Sequence, residues 1–258
     1  MAYELYPQMR KLKLSVVIPA YNEAARIGRT IGALVEYASR TGIDCDLIVA
    51  DDGSDDGTAE VVIQAAQERI GFIVVYGNVN VGKGRAVHAG MVEAKGEVIL
   101  MCDADLPTPF EEIEKLLPWL EQGYDVVIGS RDMPESRLDP PQPFGRRLMA
   151  RVFRALRRRL LLPAIRDTQC GFKLFRREAA REIFLRTTVP GWLFDCEVLG
   201  IAERLGYRIK EVGVIWRNHP DSRVNVLREA LRALPTLLAI RRRLAASPRR
   251  VPGERTDA

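Results

Sequence analysis

The sequence predicts an α/β fold in which a mostly parallel β-sheet is flanked by helices. Short apolar runs rich in β-branched residues alternate with segments whose apolar residues recur at helical spacing. Strands that alternate with helices are typical of a parallel sheet. Acidic and polar residues follow directly after several of the runs, and ligands bind at the carboxyl ends of such strands. With 258 residues, 47% of them hydrophobic, the chain is long enough to bury a core of this kind.

Five strands are predicted in the first half of the chain, at residues 14–19, 46–50, 72–76, 98–102 and 126–129. Helical spacing predicts one helix around residues 27–35 and another at 113–120. A proline-rich loop, a basic segment, a mixed region to about residue 216 and a helical stretch from about residue 224 follow. We therefore expect one domain over residues 1–246, divided into halves at 12–131 and 132–246, with a disordered tail at 247–258.

Composition limits where the protein works. The four cysteines, Cys45, Cys102, Cys170 and Cys196, lie far apart without a C-x-x-C pair, so their spacing supports neither a zinc site nor a disulfide framework. We expect reduced thiols in a cytoplasmic protein. The N-terminal residues contain no apolar stretch that resembles a signal peptide or anchor, and no run reaches the ~18 apolar residues of a spanning helix. A soluble or peripheral protein is expected.

Two acidic pairs follow predicted strands. Asp103 and Asp105 come directly after the fourth strand, and Asp51 and Asp52 follow the second. Carboxylates, together with the oxygens of a diphosphate, are the usual ligands of Mg²⁺ or Mn²⁺. Asp103 and Asp105 are therefore candidate metal ligands. For the Asp-x-Asp pattern alone, a loop with a helix N-cap is the other interpretation. Its position after a buried strand favours a functional site.

The segment from Gly77 to Lys83 has the spacing of a nucleoside-triphosphate loop but carries Gly84 where a Ser or Thr would bind magnesium. The dinucleotide fingerprint is also absent, which argues against a dehydrogenase. Lys83 or Arg85 is a candidate contact for a diphosphate, with a solvated turn as the alternative.

Several motifs together resemble a known enzyme family. The first strand ends in VVIPAYNE (16–23), and DDGSDDGT (51–58), NVGKG (80–84), DAD (103–105) and GSR (129–131) follow in order. This order resembles family-two glycosyltransferases, the inverting class with a GT-A fold. IRDTQCGFKLF (165–175) and WLFDCE (192–197) resemble dolichyl-phosphate β-glucosyltransferases and related polyprenyl-phosphate sugar transferases. The likeness extends from about residue 12 to residue 245.

The resemblance implies roles for residues of both halves. Residues 12–131 would bind a UDP-sugar, with Pro19, Tyr21 and Glu23 at the uridine or its ribose and Asp52 at the base or ribose. Asp103, Ala104 and Asp105 would engage ribose and metal, and Lys83 would also belong to the donor site. In related mannose synthases a Gln assists the metal where this chain has Pro107. The acceptor phosphate and diphosphate would lie near four residues, Arg131, Arg217, Ser222 and Arg223.

The chemistry depends on the acceptor. A lipid phosphate is already an anion and needs positioning by arginines such as Arg131. A hydroxyl acceptor instead needs a base, for which Asp195 and Glu197 are candidates, although a helix-start pair is the alternative interpretation. We expect Asp105, Arg131 and Asp195 to act in catalysis. His88 and His219 are expected to lie on a helix surface and in a loop.

A basic segment points to a membrane surface. In a helix over residues 147–160, Met149, Val152, Phe153, Leu156 and Leu160 share one face, and Arg147, Arg151, Arg154 and Arg158 share the other. Such a helix suits an anionic membrane, or else packs on the sheet with solvated arginines. Leu227, Leu231, Leu234 and Leu238, followed by Arg241 to Arg243, repeat the pattern. Nucleic-acid binding is not expected, since aromatic residues are not interleaved.

The sequence therefore predicts an inverting transfer of a hexose, glucose above all, from a UDP-sugar to a polyprenyl phosphate at the cytoplasmic face of a membrane. Transfer to a soluble hydroxyl acceptor, with Asp195 as base, is the second hypothesis. A nucleotide-sugar binding module without turnover is the third.

Overall fold

A computed structural model describes residues 12–67, 69–139, 153–217 and 226–247, with side chains in the last range from residue 233 onward. Its strands are β1 (Lys13–Ala20), β2 (Asp44–Asp51), β3 (Gly71–Tyr76), β4 (Val98–Cys102), β5 (Val126–Ser130), β6 (Arg137–Asp139), β7 (Phe172–Arg176), β8 (Ile209–Gly213) and β9 (Ile215–Arg217). Its helices are α1 (Ala24–Thr41), α2 (Thr58–Ala66), α3 (Lys83–Glu93), α4 (Ile113–Glu121), α5 (residues 153–160), α6 (Arg177–Phe184), α7 (Phe194–Arg204) and α8 (Val226–Ala246). A 3₁₀ turn, Phe110–Glu112, precedes α4.

Seven strands form the central sheet in the order β3-β2-β1-β4-β7-β5-β8. The pairs β1–β2, β1–β4, β2–β3 and β5–β8 are parallel, which confirms the predicted fold class. Strand β7 is antiparallel to both β4 and β5 and was not predicted. It is inserted between the two parallel parts and brings residues 170–172 beside the end of β4. Strands β6 and β9 form a separate two-stranded parallel sheet.

Side chains of the sheet alternate between two hydrophobic layers, as the period of a strand requires. In β1, Leu14, Val16 and Ile18 belong to the layer under α1, α2 and α4, whereas Val17 belongs to the opposite layer. The opposite layer is covered by α3, α6, α7 and α8. Both faces of the sheet are therefore buried at its centre, whereas the edge strand β3 is partly exposed, with Ile73 at 45%.

In helix α1 the sequence determines both the buried face and the end of the helix. Its apolar residues recur at three- and four-residue spacing, so that Ile27, Ile31 and Leu34 face the sheet and are fully buried. The helix ends at Gly42, which takes the left-handed conformation at φ 70° and donates its N–H to the Ala38 carbonyl.

The described part of the basic segment packs against the protein. Phe153, Leu156 and Leu160 of α5 lie against the core layer that α7 covers, so this part of the apolar face is partly buried. Arg157, on the same helix, is completely buried and donates to the carbonyls of residues 162, 165 and 166. Arg147, Met149, Arg151 and Val152 lie outside the described residues.

Among the residues that the structure describes, no helix has both the length and the apolar content needed to cross a membrane.

Candidate functional site

The loop after β4 carries the Asp-Ala-Asp sequence at the carboxyl edge of the parallel strands. All five residues of β4 are buried, which places the two acids at the first point where the chain reaches solvent. The Leu106 N–H donates to the Asp103 carbonyl, and Leu106 has a positive φ of 43°. The Ala104 carbonyl accepts a hydrogen bond of 2.6 Å from the Thr30 hydroxyl of α1. The loop is therefore a tight, internally bonded turn, and its unusual backbone at Leu106 is typical of functional sites.

Asp103 is paired with Lys83, the first residue of α3. The Lys83 Nζ lies 2.5 Å from the Asp103 Oδ1, and it also lies over the rings of Trp192 and Phe194 at 4.9 and 5.9 Å. Burial disfavours the Lys83 ammonium, but the carboxylates of Asp103, Asp195 and Asp105 outweigh it and raise the pKa of Lys83. Lys83 is therefore a fixed cation beside the acid pair.

Gly171 lies against the carboxylate of Asp103. The Asp103 N–H donates to the Gly171 carbonyl at 3.2 Å, and a Cβ atom at residue 171 would overlap the Asp103 carboxylate. Only glycine allows this approach without displacing the acid. No role was predicted for Gly171. Gly171 lies in the motif of residues 165–175. That motif indicates a contact with Asp103 only when β7 is known to lie beside β4.

Asp105 differs from Asp103 in its surroundings. Its side chain is 29% exposed, and the carboxylate lies 3.9 Å from Arg26 of α1. Arg26 also forms a two-point pair with Glu23, whose oxygens accept from Nε and Nη2 at 2.7 Å. Glu23 was expected at the uridine or its ribose, and in the structure Arg26 lies between it and Asp105. Arg26 had not been singled out, because its partner Asp105 is distant in sequence.

The other predicted donor residues lie at the ends of β1 and β2. Pro19 is buried within β1 and pairs in register with Ala50, whereas Tyr21 is 43% exposed beyond the strand end. Asp52 is buried and accepts the N–H groups of Val81 and Gly82 at 3.1 and 2.7 Å. Asp52 therefore holds the loop that precedes Lys83, and both of its carboxylate oxygens are engaged there.

Arg131, at the end of β5, is held by Asp167, for which no role of its own was predicted. Its Nε and Nη2 donate to the two oxygens of Asp167 at 2.7 and 2.9 Å. Burial disfavours charge on both groups, but their mutual attraction outweighs it, so the pKa of Asp167 is lowered and that of Arg131 is raised. The Arg131 guanidinium also lies 5.6 Å from the Trp216 ring centre. Arg131 is thus rigidly oriented and its charge largely compensated.

Arg217 reaches the same region from β9. Its backbone N–H donates to the Pro107 carbonyl at 2.7 Å, and its side chain is exposed. The predicted acceptor residue Arg217 therefore lies next to the Asp103–Asp105 loop. Ser222 and Arg223, predicted for the same phosphate, lie outside the described residues.

The two acids considered as bases are both engaged. Asp195 is buried, and its Oδ1 lies 2.6 Å from the Nζ of the buried Lys173. Burial raises the pKa of Asp195, and Lys173 and Lys83 oppose that rise. Glu197 is likewise buried and accepts from the backbone of Thr188 and Val189. The Asp195 interaction had no signal in the sequence, since Lys173 lies within an apolar strand.

Within the described ranges, no group of three or more His, Cys, Asp and Glu side chains could hold a metal ion by itself. A metal that bridges a diphosphate does not need such a group, because one or two carboxylates together with the phosphate oxygens are sufficient for Mg²⁺. Asp103 and Asp105, at the sheet edge, are the candidate carboxylates for such a site.

The chain is similar in sequence to known glycosyltransferases. Residues 15–184 match the sequence model of Glycosyl transferase family 2. A dolichyl-phosphate beta-glucosyltransferase from Trichomonas vaginalis is 37% identical over 228 residues, which cover 83% of this chain and 68% of that protein. The enzyme of the same name from Mus musculus is 37% identical over 228 residues, covering 82% and 69%. Glycosyltransferase AglD from Haloferax volcanii is 35% identical over 223 residues, covering 85% and 35%.

Solved structures share the fold at lower identity. Mannosyl-3-phosphoglycerate synthase from Rubrobacter xylanophilus has a TM-score of 0.69 at 21% identity, over 98% of this chain and 82% of that one. Glucosyl-3-phosphoglycerate synthase from Mycobacterium tuberculosis, in complex with Mn²⁺ and UDP-glucose, has a TM-score of 0.66 at 22% identity, over 92% and 82%. The predicted GT-A architecture is thereby confirmed.

Proposed function

This chain belongs to Glycosyl transferase family 2, and we propose that it transfers glucose from UDP-glucose to a polyprenyl phosphate such as dolichyl phosphate. Relatives 37% identical are named dolichyl-phosphate beta-glucosyltransferases, which supports this acceptor. A fold neighbour in complex with Mn²⁺ and UDP-glucose is consistent with this donor and with a divalent ion.

The contacts of the two candidate bases, Asp195 and Glu197, support a phosphate acceptor. A hydroxyl acceptor must lose its proton to a side chain, but Asp195 is buried against Lys173 and Glu197 is bound by backbone amides. A phosphate monoester is an anion at neutral pH and attacks the anomeric carbon without a base. These contacts therefore favour a phosphate acceptor over a soluble hydroxyl.

The residues of the proposed donor site have different roles. Asp103 and Asp105 would hold Mg²⁺ or Mn²⁺, which when bound neutralises charge on the leaving diphosphate. Lys83 keeps Asp103 oriented and supplies a positive charge beside the acid pair. Tyr21 offers an exposed ring at the end of β1 to the base. The inverting transfer then needs the acceptor phosphate on the face of the sugar opposite the diphosphate.

Arg217 is the described residue that fits the acceptor phosphate best, because its side chain is exposed beside the acidic loop whereas Arg131 is neutralised by Asp167. We expect Arg217→Gln to raise the KM for polyprenyl phosphate about tenfold or more, since a hydrogen bond to a charged group contributes ~1.5–3 kcal/mol. UDP affinity should not change. Product formation from radiolabelled UDP-glucose and UDP titration measure the two effects.

The matched control is Arg181→Gln, an exposed arginine of α6. Polyprenyl phosphate and a panel of soluble polyols and glycerates are assayed side by side. Transfer to a soluble hydroxyl with no product on polyprenyl phosphate would overturn the proposed acceptor. An equal loss of UDP affinity in Arg217→Gln would assign that arginine to the donor.

A peripheral position at the cytoplasmic membrane face is part of the proposal. Arg158 and Arg159 of α5 are exposed, while the apolar side chains of that helix face the core. Attraction to anionic headgroups would contribute ~1 kcal/mol per arginine near the surface. We expect the protein to sediment with anionic liposomes at low salt and Arg158→Gln/Arg159→Gln to reduce that binding. Sedimentation equal to that of the wild type, or of Arg181→Gln, would contradict this surface.

A further inference from the structure

Glu197 connects two distant parts of the chain. Its Oε2 accepts the N–H groups of Thr188 and Val189 at 2.8 and 2.7 Å, and its Oε1 accepts the Thr188 hydroxyl at 2.8 Å. The same Oε1 lies 2.9 Å from Nη1 of Arg243 in α8. The glutamate is 3% exposed, so these contacts form where water competes weakly. One buried carboxylate therefore joins the loop before α7 to the C-terminal helix.

Helix α8 is packed closely enough to make this contact specific. Gly200, one turn beyond Glu197 on α7, leaves the space that the side chain of Leu244 fills, since a Cβ atom at residue 200 would overlap it. Leu237 and Ile240 of α8 are fully buried in the same layer. Arg243 is consequently placed over Glu197 by the packing of its neighbours.

The loop that Glu197 holds lies directly on the donor site. A Cβ atom at Gly82 would lie 2.6 Å from the Pro190 carbonyl oxygen, and one at Gly84 would overlap the Val189 carbonyl oxygen. The Pro190 oxygen also accepts the Arg85 N–H at 3.2 Å. The start of α3 is therefore pressed against residues 189–190, and Lys83 lies between those two glycines.

The loop continues to the rings that cover Lys83. The Lys83 ammonium lies 4.9 Å from the ring centre of Trp192 while bonded to Asp103. Contacts thus run without a gap from Arg243 through Glu197 and residues 188–192 to Lys83 and Asp103. Glu197 and Arg243 both lie beyond residue 184, where the match to the family model ends.

We propose that Glu197 is a positioning residue through which α8 sets the place of Lys83 and Asp103. The inference rests on the proposed donor site at these two residues. It gives the C-terminal helix a part in donor binding, and it assigns Glu197 to that task rather than to proton removal from an acceptor.

The test compares two adjacent arginines of α8 in a buffer without lipid. Arg243→Ala removes the contact to Glu197, and Arg242→Ala removes the same charge from an exposed residue that bonds to no described residue. We expect UDP affinity with Mn²⁺ to fall about three- to fivefold in Arg243→Ala, the size that an ion pair with one exposed partner supports. Arg242→Ala and Arg243→Lys should bind UDP as the wild type does.

Two further measurements separate positioning from general stability. In a Glu197→Gln background, Arg243→Ala should cause no additional loss of UDP affinity, because its effect passes through that carboxylate. The fluorescence of Trp192, obtained as the difference between each variant and its Trp192→Phe counterpart, should change in Arg243→Ala and not in Arg242→Ala. This second measurement needs no ligand.

A lower melting temperature of Arg243→Ala with unchanged UDP affinity would overturn the inference, and so would identical Trp192 fluorescence in the two arginine variants. Absence of UDP binding in the wild type would instead refute the proposed donor site, and the fluorescence comparison would still decide whether α8 places the loop.

Discussion

Replacing Asp105 by asparagine is expected to lower sugar transfer at least about a hundredfold, because the metal supplies several kcal/mol of charge stabilisation and each 1.4 kcal/mol is a factor of ten in rate. The fold should persist. The Asp105 side chain is 29% exposed and lies 3.9 Å from Arg26, so its ion pair is partly screened and its loss should cost within about 1 kcal/mol. Initial rates with UDP-glucose, and urea unfolding of the same preparation, measure both quantities.

Glu111→Gln provides the matched control, since it makes the same chemical change at a 58% exposed carboxylate that pairs with Arg40. UDP titration with and without Mn²⁺ gives a readout besides turnover. The wild type and Glu111→Gln should bind UDP more tightly with the ion, and Asp105→Asn should lose most of that difference. Full activity of Asp105→Asn in Mg²⁺ or Mn²⁺ would refute the metal assignment.

Strands β1 to β5 were predictable because each of them is a self-contained signal, whereas β8, which is parallel to β5, lies in a region where no strand was predicted. A run such as Val98–Cys102 is apolar throughout and is followed at once by acids, which indicates both a buried strand and its exit. The GT-A family was likewise predictable, since several motifs occur in a fixed order.

Strand β7 was not predictable in the same way. Its sequence, FKLFR, contains a lysine and an arginine, and its burial depends on two neighbours that are distant in the chain. The lysine is tolerated there because Asp195, 22 residues later, neutralises it and the Cys170 carbonyl accepts a further hydrogen bond. The local sequence pattern of a strand does not indicate an ion-pair partner that is distant in the chain.

In the candidate site, too, some residues could be predicted from local sequence and their contacts could not. Residue types at strand exits identified Asp103, Asp105 and Arg131, whose positions follow from the parallel strands alone. The contacts that decide how each acts were missed, because Lys83, Gly171 and Asp167 reach them across 20 to 68 residues of sequence. Glu197 is the clearest case, since a buried helix-start acid with four contacts has the same sequence pattern as a free base.

The largest effect on stability is expected from Lys173→Met. Removing one partner of a buried pair leaves an uncompensated charge, which typically costs ~3–5 kcal/mol of the free energy of unfolding. Lys173 is 0% exposed and Asp195 is 4% exposed, so water cannot take over the lost contact. Urea unfolding at neutral pH measures the loss. Lys173→Met/Asp195→Asn removes both charges and should recover most of it.

The deficit of Lys173→Met should depend on pH in a defined direction. Burial already raises the pKa of Asp195 above 3.8, and without Lys173 a cation that opposes the rise is gone. A group whose pKa is higher in the folded state binds protons more strongly there, so its stabilising effect is present below the unfolded pKa and is lost as pH rises through the folded one. The deficit should therefore be small near pH 4 and grow toward neutrality. A deficit independent of pH would show that Asp195 is not the group left uncompensated.

The double variant also separates folding from chemistry at residue 195. Because Lys173→Met/Asp195→Asn has no charge at either residue, its turnover reports the role of the acid without the stability loss of the single change. With polyprenyl phosphate as acceptor we expect a rate within about tenfold of the wild type, whereas loss of a general base costs about 10²–10⁴-fold. A loss of that larger size, with the fold and UDP affinity intact, would return Asp195 to catalysis and favour a hydroxyl acceptor.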